Sequence, residues 1–153
     1  MTTRFNYYKL AHDGVKHLAE IETYLHGSGL EASLLELVKM RASQINGCAF
    51  CLDMHSKDAR EAGETEQRLY GLDAWHESGF YSERERAALA WTEALTRIAD
   101  THAPDEVYAQ VAKQFNEKEI ADLSLAIVAI NGWNRLAIGS RAKAGSYKPE
   151  LAR

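Results

Sequence analysis

Residues 31–63 read EASLLELVKMRASQINGCAFCLDMHSKDAREAG, and this stretch predicts two helices joined by a tight turn. Apolar residues recur at helical spacing in its first half, which predicts a helix over about residues 31–45. The dipeptide Asn46-Gly47 is a typical helix stop, because glycine readily adopts the left-handed conformation that ends many helices. A further helix is expected over about residues 48–62, and it carries both cysteines of the chain.

The rest of the chain is also predicted to be helical. Apolar residues recur at helical rather than alternating spacing almost throughout, and only two prolines occur. Capping boxes, which open helices, are predicted at Ser82–Glu85 and Asn116–Glu119. The expected helices cover about residues 14–25, 31–45, 48–62, 65–72, 82–97, 104–115 and 116–144. We therefore predict one all-α domain over residues 1–153, with six or seven helices and the cysteine pair at the start of the third.

The composition is that of an ordinary globular protein and excludes several classes of function. The 153 residues, 46% of them hydrophobic, suffice for one packed core. The net charge is −4 and no basic stripe stands out, so no nucleic-acid partner is expected. The longest apolar run, about residues 123–133, is too short to cross a bilayer, so no membrane association is expected. Residues 1–8 lack the apolar core of a secretory signal, which predicts a cytoplasmic, reducing location.

The two cysteines, Cys48 and Cys51, are three residues apart and predict a redox centre. A disulfide across so short a loop contributes only about 2 kcal/mol of stability in the chain-entropy model. A pair that stabilises little but can alternate between dithiol and disulfide is typical of a thiol oxidoreductase. No βαβ pattern surrounds the pair, which excludes the thioredoxin fold. No flavin, haem or nicotinamide motif occurs, so no cofactor is expected.

A histidine and a glutamate that are close in sequence could activate one of the two thiols. Cys51 and His55 are four residues apart, so they lie on one face of a helix. Glu36 lies at a similar height on the preceding helix if Asn46-Gly47 reverses the chain into a helical hairpin. These positions predict a proton relay from Glu36 through His55 to the thiol pair. Lowering a thiol pKa from about 8.5 to about 6.5 would raise its thiolate fraction at pH 7 from a few per cent to about three quarters.

One motif of the chain combines Glu36 with residues 46–55, NGCAFCLDMH, and it resembles the signature of alkyl hydroperoxidase D-like proteins in the carboxymuconolactone decarboxylase superfamily. The likeness is strongest over residues 34–62 and extends more weakly through residues 80–89 and 130–135. It implies an all-helical fold, assembly into trimers or hexamers, and reduction of peroxides through a cysteine sulfenic acid and then a disulfide. It also implies a dithiol electron donor, either a lipoyl-bearing or a thioredoxin-type protein. Decarboxylases of the wider family generally lack the cysteine pair, so decarboxylation is not expected.

The resemblance also implies a role for each residue of the motif. Cys51 matches the cysteine that forms the sulfenic acid, and Cys48 matches the proton-donating, resolving cysteine. Glu36 and His55 match the proton relay. The helix dipole favours a thiolate at Cys48 by only about 0.3–1 kcal/mol, whereas a general base beside Cys51 contributes about 3–5 kcal/mol. One position departs from the characterised hydroperoxidases, which have a histidine where this chain has Phe50; this argues against high peroxidase turnover but not against dithiol chemistry.

Two other functions remain open from the sequence. One is a helical oligomer that senses redox state, or binds a partner, through the same dithiol without turnover. The other is a structural zinc protein that uses Cys48, Cys51 and His55 with a fourth ligand such as Glu36. Three ligands on two turns of one helix fit a tetrahedron poorly, which makes the zinc site the weaker alternative.

Polar residues interrupt the apolar final helix at Asn131, Asn134 and Arg135. We expect them to form hydrogen bonds between helices or at a subunit interface rather than to contact a substrate. Trp133, which lies among them, is expected in the core or in an interface.

Overall fold

The structure, a computed structural model, describes residues 2–149 and contains helices and loops but no strand over that range. The helices are α1 (Tyr7–Leu10), α2 (His12–His26), α3 (Ala32–Asn46), α4 (Ala49–Glu61), α5 (Glu66–Gly71), α6 (Glu83–Thr96), α7 (Ile98–Thr101), α8 (Asp105–Val111) and α9 (Glu117–Ser140), with a 3-10 turn over Leu72–Ala74. The all-α prediction is confirmed. Within the same residues, no helix is both long and apolar enough to cross a membrane.

The cysteine pair opens the fourth helix rather than the third, and residues 2–149 hold more helices than the six or seven predicted. The two additional helices are single turns, too short to carry an apolar stripe. Asn6 caps the first of them, α1, by accepting the amide N–H of Lys9 on its side-chain oxygen at 3.1 Å. The second, α7, follows α6, where the hydroxyl of Thr101 donates to the carbonyl of Ala94 at 2.6 Å.

Local signals place the ends of the longer helices close to the predicted positions. Both capping boxes are present, Ser82–Glu85 at the start of α6 and Asn116–Glu119 at the start of α9. Gly47 ends α3 with a φ of 68°, in the left-handed region where a Cβ is unfavourable. Cys48 follows at once with extended backbone and is the N-cap of α4. The reversal at Gly47 therefore makes α3 and α4 the arms of a hairpin.

Helix α3 lies at the centre of the fold and packs against α4, α6 and α9. Leu34 and Leu35 belong to a core cluster shared with α6 and α9, whereas Leu37 and Met40 belong to a second cluster shared with α5 and the 3-10 turn. Because α3 buries apolar residues on several sides, its polar residues are enclosed as well. Lys39, for example, is only 3% exposed.

A group of hydrogen-bonded amides, two of them buried, fixes the end of α3 against α9. The side-chain amide of Asn46 donates to the side-chain oxygens of Asn131 at 3.0 Å and of Asn134 at 2.8 Å. Asn134 in turn donates to the hydroxyl of Ser43 at 3.0 Å. The structure thus contains the hydrogen bonds between helices that we expected for these two asparagines of α9. They hold the residues directly before the cysteine pair.

Candidate active site

Cys48 and Cys51 form a disulfide at the start of α4, with their Cα atoms 5.4 Å apart. Both are 1% exposed, and they pack against Ile130 and Ala137 of α9 in a small apolar cluster. The sulfur of Cys48 accepts the amide N–H of Cys51 at 3.4 Å. This amide and the positive end of the α4 dipole both favour negative charge on the Cys48 sulfur.

His55 lies one turn beyond Cys51 on α4, and it meets Glu36 across the hairpin. The Nδ1 atom of His55 is 2.9 Å from Oε2 of Glu36. Burial alone would raise the pKa of Glu36, but the hydrogen bond with His55 and the charges of His55 and Lys39 outweigh burial and lower this pKa. An ionised carboxylate can only accept hydrogen bonds, so Nδ1 of His55 is the donor and carries a proton. In the neutral imidazole, Nε2 is therefore the basic nitrogen.

A cavity of about 230 Å³ adjoins the disulfide and the histidine. Its lining includes the aromatic side chains of Tyr7, Tyr8, Phe50 and Trp133. Cys51 and His55 line the cavity, whereas Cys48 is not among its lining residues, so the cavity adjoins one cysteine of the pair. Nε2 of His55 bonds to no residue within 2–149. Since no buried side-chain nitrogen or oxygen in that range lacks a partner, Nε2 is reachable from the cavity.

A row of charged side chains continues from Glu36 along the cavity wall. Nζ of Lys39 lies 3.4 Å from Oε1 of Glu36 and 3.0 Å from Oε2 of Glu22. Burial alone would lower the pKa of Lys39, but the charges of Glu36 and Glu22 outweigh burial and raise this pKa. The other oxygen of Glu22 accepts the indole N–H of Trp133 at 3.1 Å. Side chains from α2, α3, α4 and α9 are thereby joined into one polar network.

Asp58 lies one turn beyond His55 on α4 and lines the same cavity. Burial raises the pKa of Asp58 and the charge of Glu36 raises it further, while a hydrogen bond from the Tyr147 hydroxyl, at 2.8 Å, acts in the opposite direction. The Asp58 carboxyl therefore holds a proton more readily than an exposed aspartate.

The side chains of Glu36, His55 and Asp58 could converge on a metal ion, since one ligand atom of each lies within 4.8 Å of the others. This group contains neither cysteine, and the ammonium of Lys39 beside Glu36 repels a cation. The zinc site considered from the sequence required both cysteines together with His55. The two sulfurs instead form a disulfide with each other, and Nδ1 of His55 forms a hydrogen bond with Glu36.

The structure brings together all four residues that the sequence singles out, and it adds residues that sequence reasoning missed. Lys39 and Asp58 each lie one helical turn after a predicted site residue, so the spacing used for the cysteines and the histidine could have found them. Glu22 comes from α2, and no local pattern indicates its approach. Trp133, which we expected in the core or in an interface, is partly buried and lines the cavity.

Comparison with known proteins places this site in a family. The model of the carboxymuconolactone decarboxylase family matches residues 11–94. The uncharacterized protein YdfG of Bacillus subtilis is 46% identical over 146 residues, which cover 95% of this chain and 99% of that protein. The uncharacterized protein YnjA of Escherichia coli is 28% identical over 100 residues, which cover 65% of this chain and 54% of that protein.

Solved structures share the fold. The crystal structure of an Agrobacterium tumefaciens protein of unknown function, whose name associates it with the antioxidant defence protein AhpD, aligns with a TM-score of 0.91 and 44% identity. The alignment covers 95% of this chain and 100% of that one. The debrominase Bmp8 aligns with a TM-score of 0.79 and 20% identity, over 89% of this chain and 73% of that one. At this low identity, the likeness to Bmp8 concerns the fold alone.

Proposed function

The chain is an alkyl hydroperoxidase D-like member of the carboxymuconolactone decarboxylase family, and from this premise we propose that it is a thiol peroxidase. The observation that carries the proposal is the convergence of three groups at one cavity. Cys51 lines it, Nε2 of His55 is reachable from it, and Glu36 holds the opposite nitrogen of the imidazole. A nucleophile, a base and a group that orients the base are the parts that thiol activation requires.

The first step oxidises Cys51. In the reduced protein, Nε2 of His55 accepts the thiol proton, and the thiolate attacks the terminal oxygen of a hydroperoxide. The O–O bond breaks, Cys51 becomes a sulfenic acid, and the alcohol leaves with the proton that His55 returns. One thiol and one hydroperoxide thus give one sulfenic acid and one alcohol.

The second step closes the disulfide. The sulfur of Cys48 attacks the sulfur of Cys51, the S–S bond forms, and the hydroxyl group leaves as water with the Cys48 proton. The amide N–H of Cys51 points at the Cys48 sulfur and supports negative charge there during the attack. The pair then stands in the oxidised form.

A dithiol donor returns the pair to its reduced form and becomes a disulfide itself. We propose that the donor thiolate reaches Cys51 through the cavity and releases Cys48 as the leaving group. Because both cysteines are only 1% exposed, a slender dithiol such as the lipoyl group of a lipoyl-bearing protein fits this route better than a thioredoxin-type donor. The two donors are distinguished by comparing turnover with each.

We further propose that the chain acts as a homo-oligomer, a trimer or a hexamer. Large apolar side chains remain exposed on α9 and near the N-terminus, including Val128 at 60%, Ile138 at 45% and Leu10 at 73%. Burying such side chains against a second copy favours association. Light scattering at micromolar concentration should give a multiple of 17.1 kDa; a monomer mass would contradict the assembly.

Steady-state consumption of cumene hydroperoxide with dihydrolipoamide tests the proposed function. We expect sustained turnover by the wild type and none by Cys51→Ser. The competing function, a redox sensor or binding module, predicts that the wild type is oxidised once per chain and then stops. Sustained turnover by Cys51→Ser would show that another group performs the chemistry.

A further inference from the structure

Lys39 is a buried charge that the peroxidase steps above do not use. Its side chain is 4% exposed, and its ammonium is held between carboxylates from two helices, Glu22 of α2 and Glu36 of α3. Burying an ammonium group costs free energy unless opposite charges compensate for the lost hydration. A lysine in this position therefore requires a reason beyond packing.

Each of the two carboxylates uses one oxygen for Lys39 and the other oxygen for a second partner. Oε1 of Glu36 lies 3.4 Å from Nζ of Lys39, and Oε2 of Glu36 lies 2.9 Å from Nδ1 of His55. Oε2 of Glu22 lies 3.0 Å from Nζ of Lys39, and Oε1 of Glu22 accepts the indole N–H of Trp133 at 3.1 Å. An unbroken series of polar contacts runs from Trp133 on α9 to His55 on α4, and Lys39 is its central cation.

We propose that Lys39 is a positioning residue for the peroxidase reaction, because its ammonium keeps Glu36 ionised and thereby fixes the tautomer of His55. The inference rests on the proposed function, since it assigns a role within the same proton relay. An ionised Glu36 accepts only, so it requires the proton on Nδ1 and leaves Nε2 basic. A protonated Glu36 would instead donate to Nδ1, and the proton of the neutral ring would lie on Nε2. That nitrogen could then no longer accept the thiol proton.

Removing the ammonium is expected to protonate Glu36 rather than Glu22. Two carboxylates would then share a partly buried site without a cation between them, and like charges in such a site raise the pKa of one member of the pair. Glu22 would retain the indole N–H of Trp133, which stabilises its charged form. The remaining partner of Glu36 would be His55. Nδ1 of His55 can accept a hydrogen bond from a protonated Glu36 as readily as it donates one to an ionised Glu36.

Other ionisable groups surround the relay. Among residues 2–149, however, the ammonium group in contact with Glu36 is that of Lys39. The surrounding groups are Tyr7 and Tyr8 on α1, His26 on α2, Cys51 and Asp58 on α4, and, on the opposite side of Glu36, Arg68 with its partners Glu64 and Glu85. The guanidinium of Arg68 is already neutralised by two carboxylates. It is therefore not a substitute for Lys39.

The tautomer of His55 can be measured directly by nuclear magnetic resonance. In protein labelled with ¹⁵N-histidine, two-bond correlations between ring nitrogens and carbon-bound hydrogens distinguish the two neutral forms. A His55→Gln variant identifies the signals of His55 among the six histidines. We expect the neutral ring to carry its proton on Nδ1 in the wild type and on Nε2 in Lys39→Met. A proton that stays on Nδ1 in Lys39→Met would overturn the inference.

Matched variants separate the charge from the side-chain volume. Lys16→Met makes the same replacement at an exposed lysine of α2 that pairs with Glu20, and it should leave the tautomer unchanged. Lys39→Arg keeps the charge and should retain the proton on Nδ1. If Lys39→Met does not fold, Lys39→Gln replaces it, because the amide still donates hydrogen bonds but carries no charge. The expected result for Lys39→Gln is the same change of tautomer.

The rate of Cys51 oxidation connects the tautomer to the reaction. With cumene hydroperoxide at pH 7 and a single turnover, we expect Lys39→Met to be slower by at least about tenfold, since a general base contributes about 10²–10⁴-fold. A changed tautomer with an unchanged rate would overturn the assigned role in the reaction. The tautomer of His55 is measured in the absence of peroxide, so this measurement does not depend on the reaction. If the wild type proves unreactive, the proposed function fails while the effect of Lys39 on His55 is still decided.

Discussion

Nδ1 of His55 lies 2.9 Å from Oε2 of Glu36, although 19 positions separate the two residues in the chain. The reversal of the backbone at Gly47 makes this contact possible, because it lays α4 back along α3. The contact uses one nitrogen of the imidazole and leaves the other accessible from the cavity that Cys51 lines. The hairpin thus sets both the position of the imidazole and which of its nitrogens faces the cavity.

Glu36→Gln is expected to slow the oxidation of Cys51 without changing its stoichiometry. The amide keeps the shape of the side chain but carries no charge, so it neither fixes the tautomer of His55 nor stabilises the imidazolium that forms. We expect a loss of about 10–10²-fold at pH 7, with one disulfide per chain still formed. Rapid-quench thiol counting after a peroxide pulse measures both quantities. Glu20→Gln, at an exposed carboxylate of α2, is the matched control, and an unchanged rate in Glu36→Gln would contradict the relay.

Acidification is expected to destabilise the protein below about pH 4.5, and Glu93 is one cause. Burial alone would raise the pKa of Glu93, but hydrogen bonds from Trp75 and Arg41 outweigh burial and lower it from 4.5. A carboxyl group whose pKa is lower in the folded state stabilises the fold above its unfolded pKa, and this stabilisation is lost as the pH falls through the folded value. The pKa of Glu36 is also lowered in the folded state, so protonation of Glu36 on acidification destabilises the fold as well.

Urea unfolding at pH 7, 4 and 3 measures this effect in the wild type and in Glu93→Gln. The variant should lose about 1.5–3 kcal/mol at pH 7, because the buried Arg41 and the indole of Trp75 lose a charged acceptor. Its stability should then fall less steeply than that of the wild type on acidification. Parallel curves for the two proteins would show that Glu93 does not contribute to acid unfolding.

Two glycine-to-alanine substitutions should change stability in opposite directions. Gly47 has a φ of 68°, where a Cβ costs about 1–2 kcal/mol, so Gly47→Ala should destabilise the fold. Gly14 lies in the first turn of α2, and an added Cβ would meet no heavy atom within 4 Å beyond its chain neighbours and the backbone of its own helix, so Gly14→Ala should stabilise the fold by about 0.5–1 kcal/mol through helix propensity. Urea midpoints measure both changes, and shifts of the same sign would contradict the conformational explanation.

The parts of the fold that were predictable from the sequence are those with local causes. Helix α9 begins where the capping box at Asn116 places it, and α3 ends where Asn46-Gly47 predicts. The single turn α1 was not predicted, because its one local signal is the side chain of Asn6. Helix α9 ends at Ser140, a few residues before the predicted end.

The same distinction holds for the site. The approach of Glu36 to His55 follows from helix geometry on either side of one turn, so the sequence was sufficient to predict it. The approach of Glu22 and Trp133 depends on how α2 and α9 pack on the core. That packing arises from contacts spread over the whole chain, such as those of Leu25 and Ile127, and no short motif encodes it.

Cys51 and Cys48 are expected to play unequal parts in the reaction. Cys51 lines the cavity one turn from His55, whereas the sulfur of Cys48 accepts a backbone amide, which makes Cys48 the better leaving group when the sulfur of Cys51 is attacked. After a peroxide pulse with a sulfenic-acid trap, mass spectrometry should find one trapped sulfenic acid per chain in Cys48→Ser, at Cys51. It should find none in Cys51→Ser. Stable trapping at Cys48 in Cys51→Ser would reverse the order, because the amide and the helix dipole would then outweigh the base in deciding which thiol reacts.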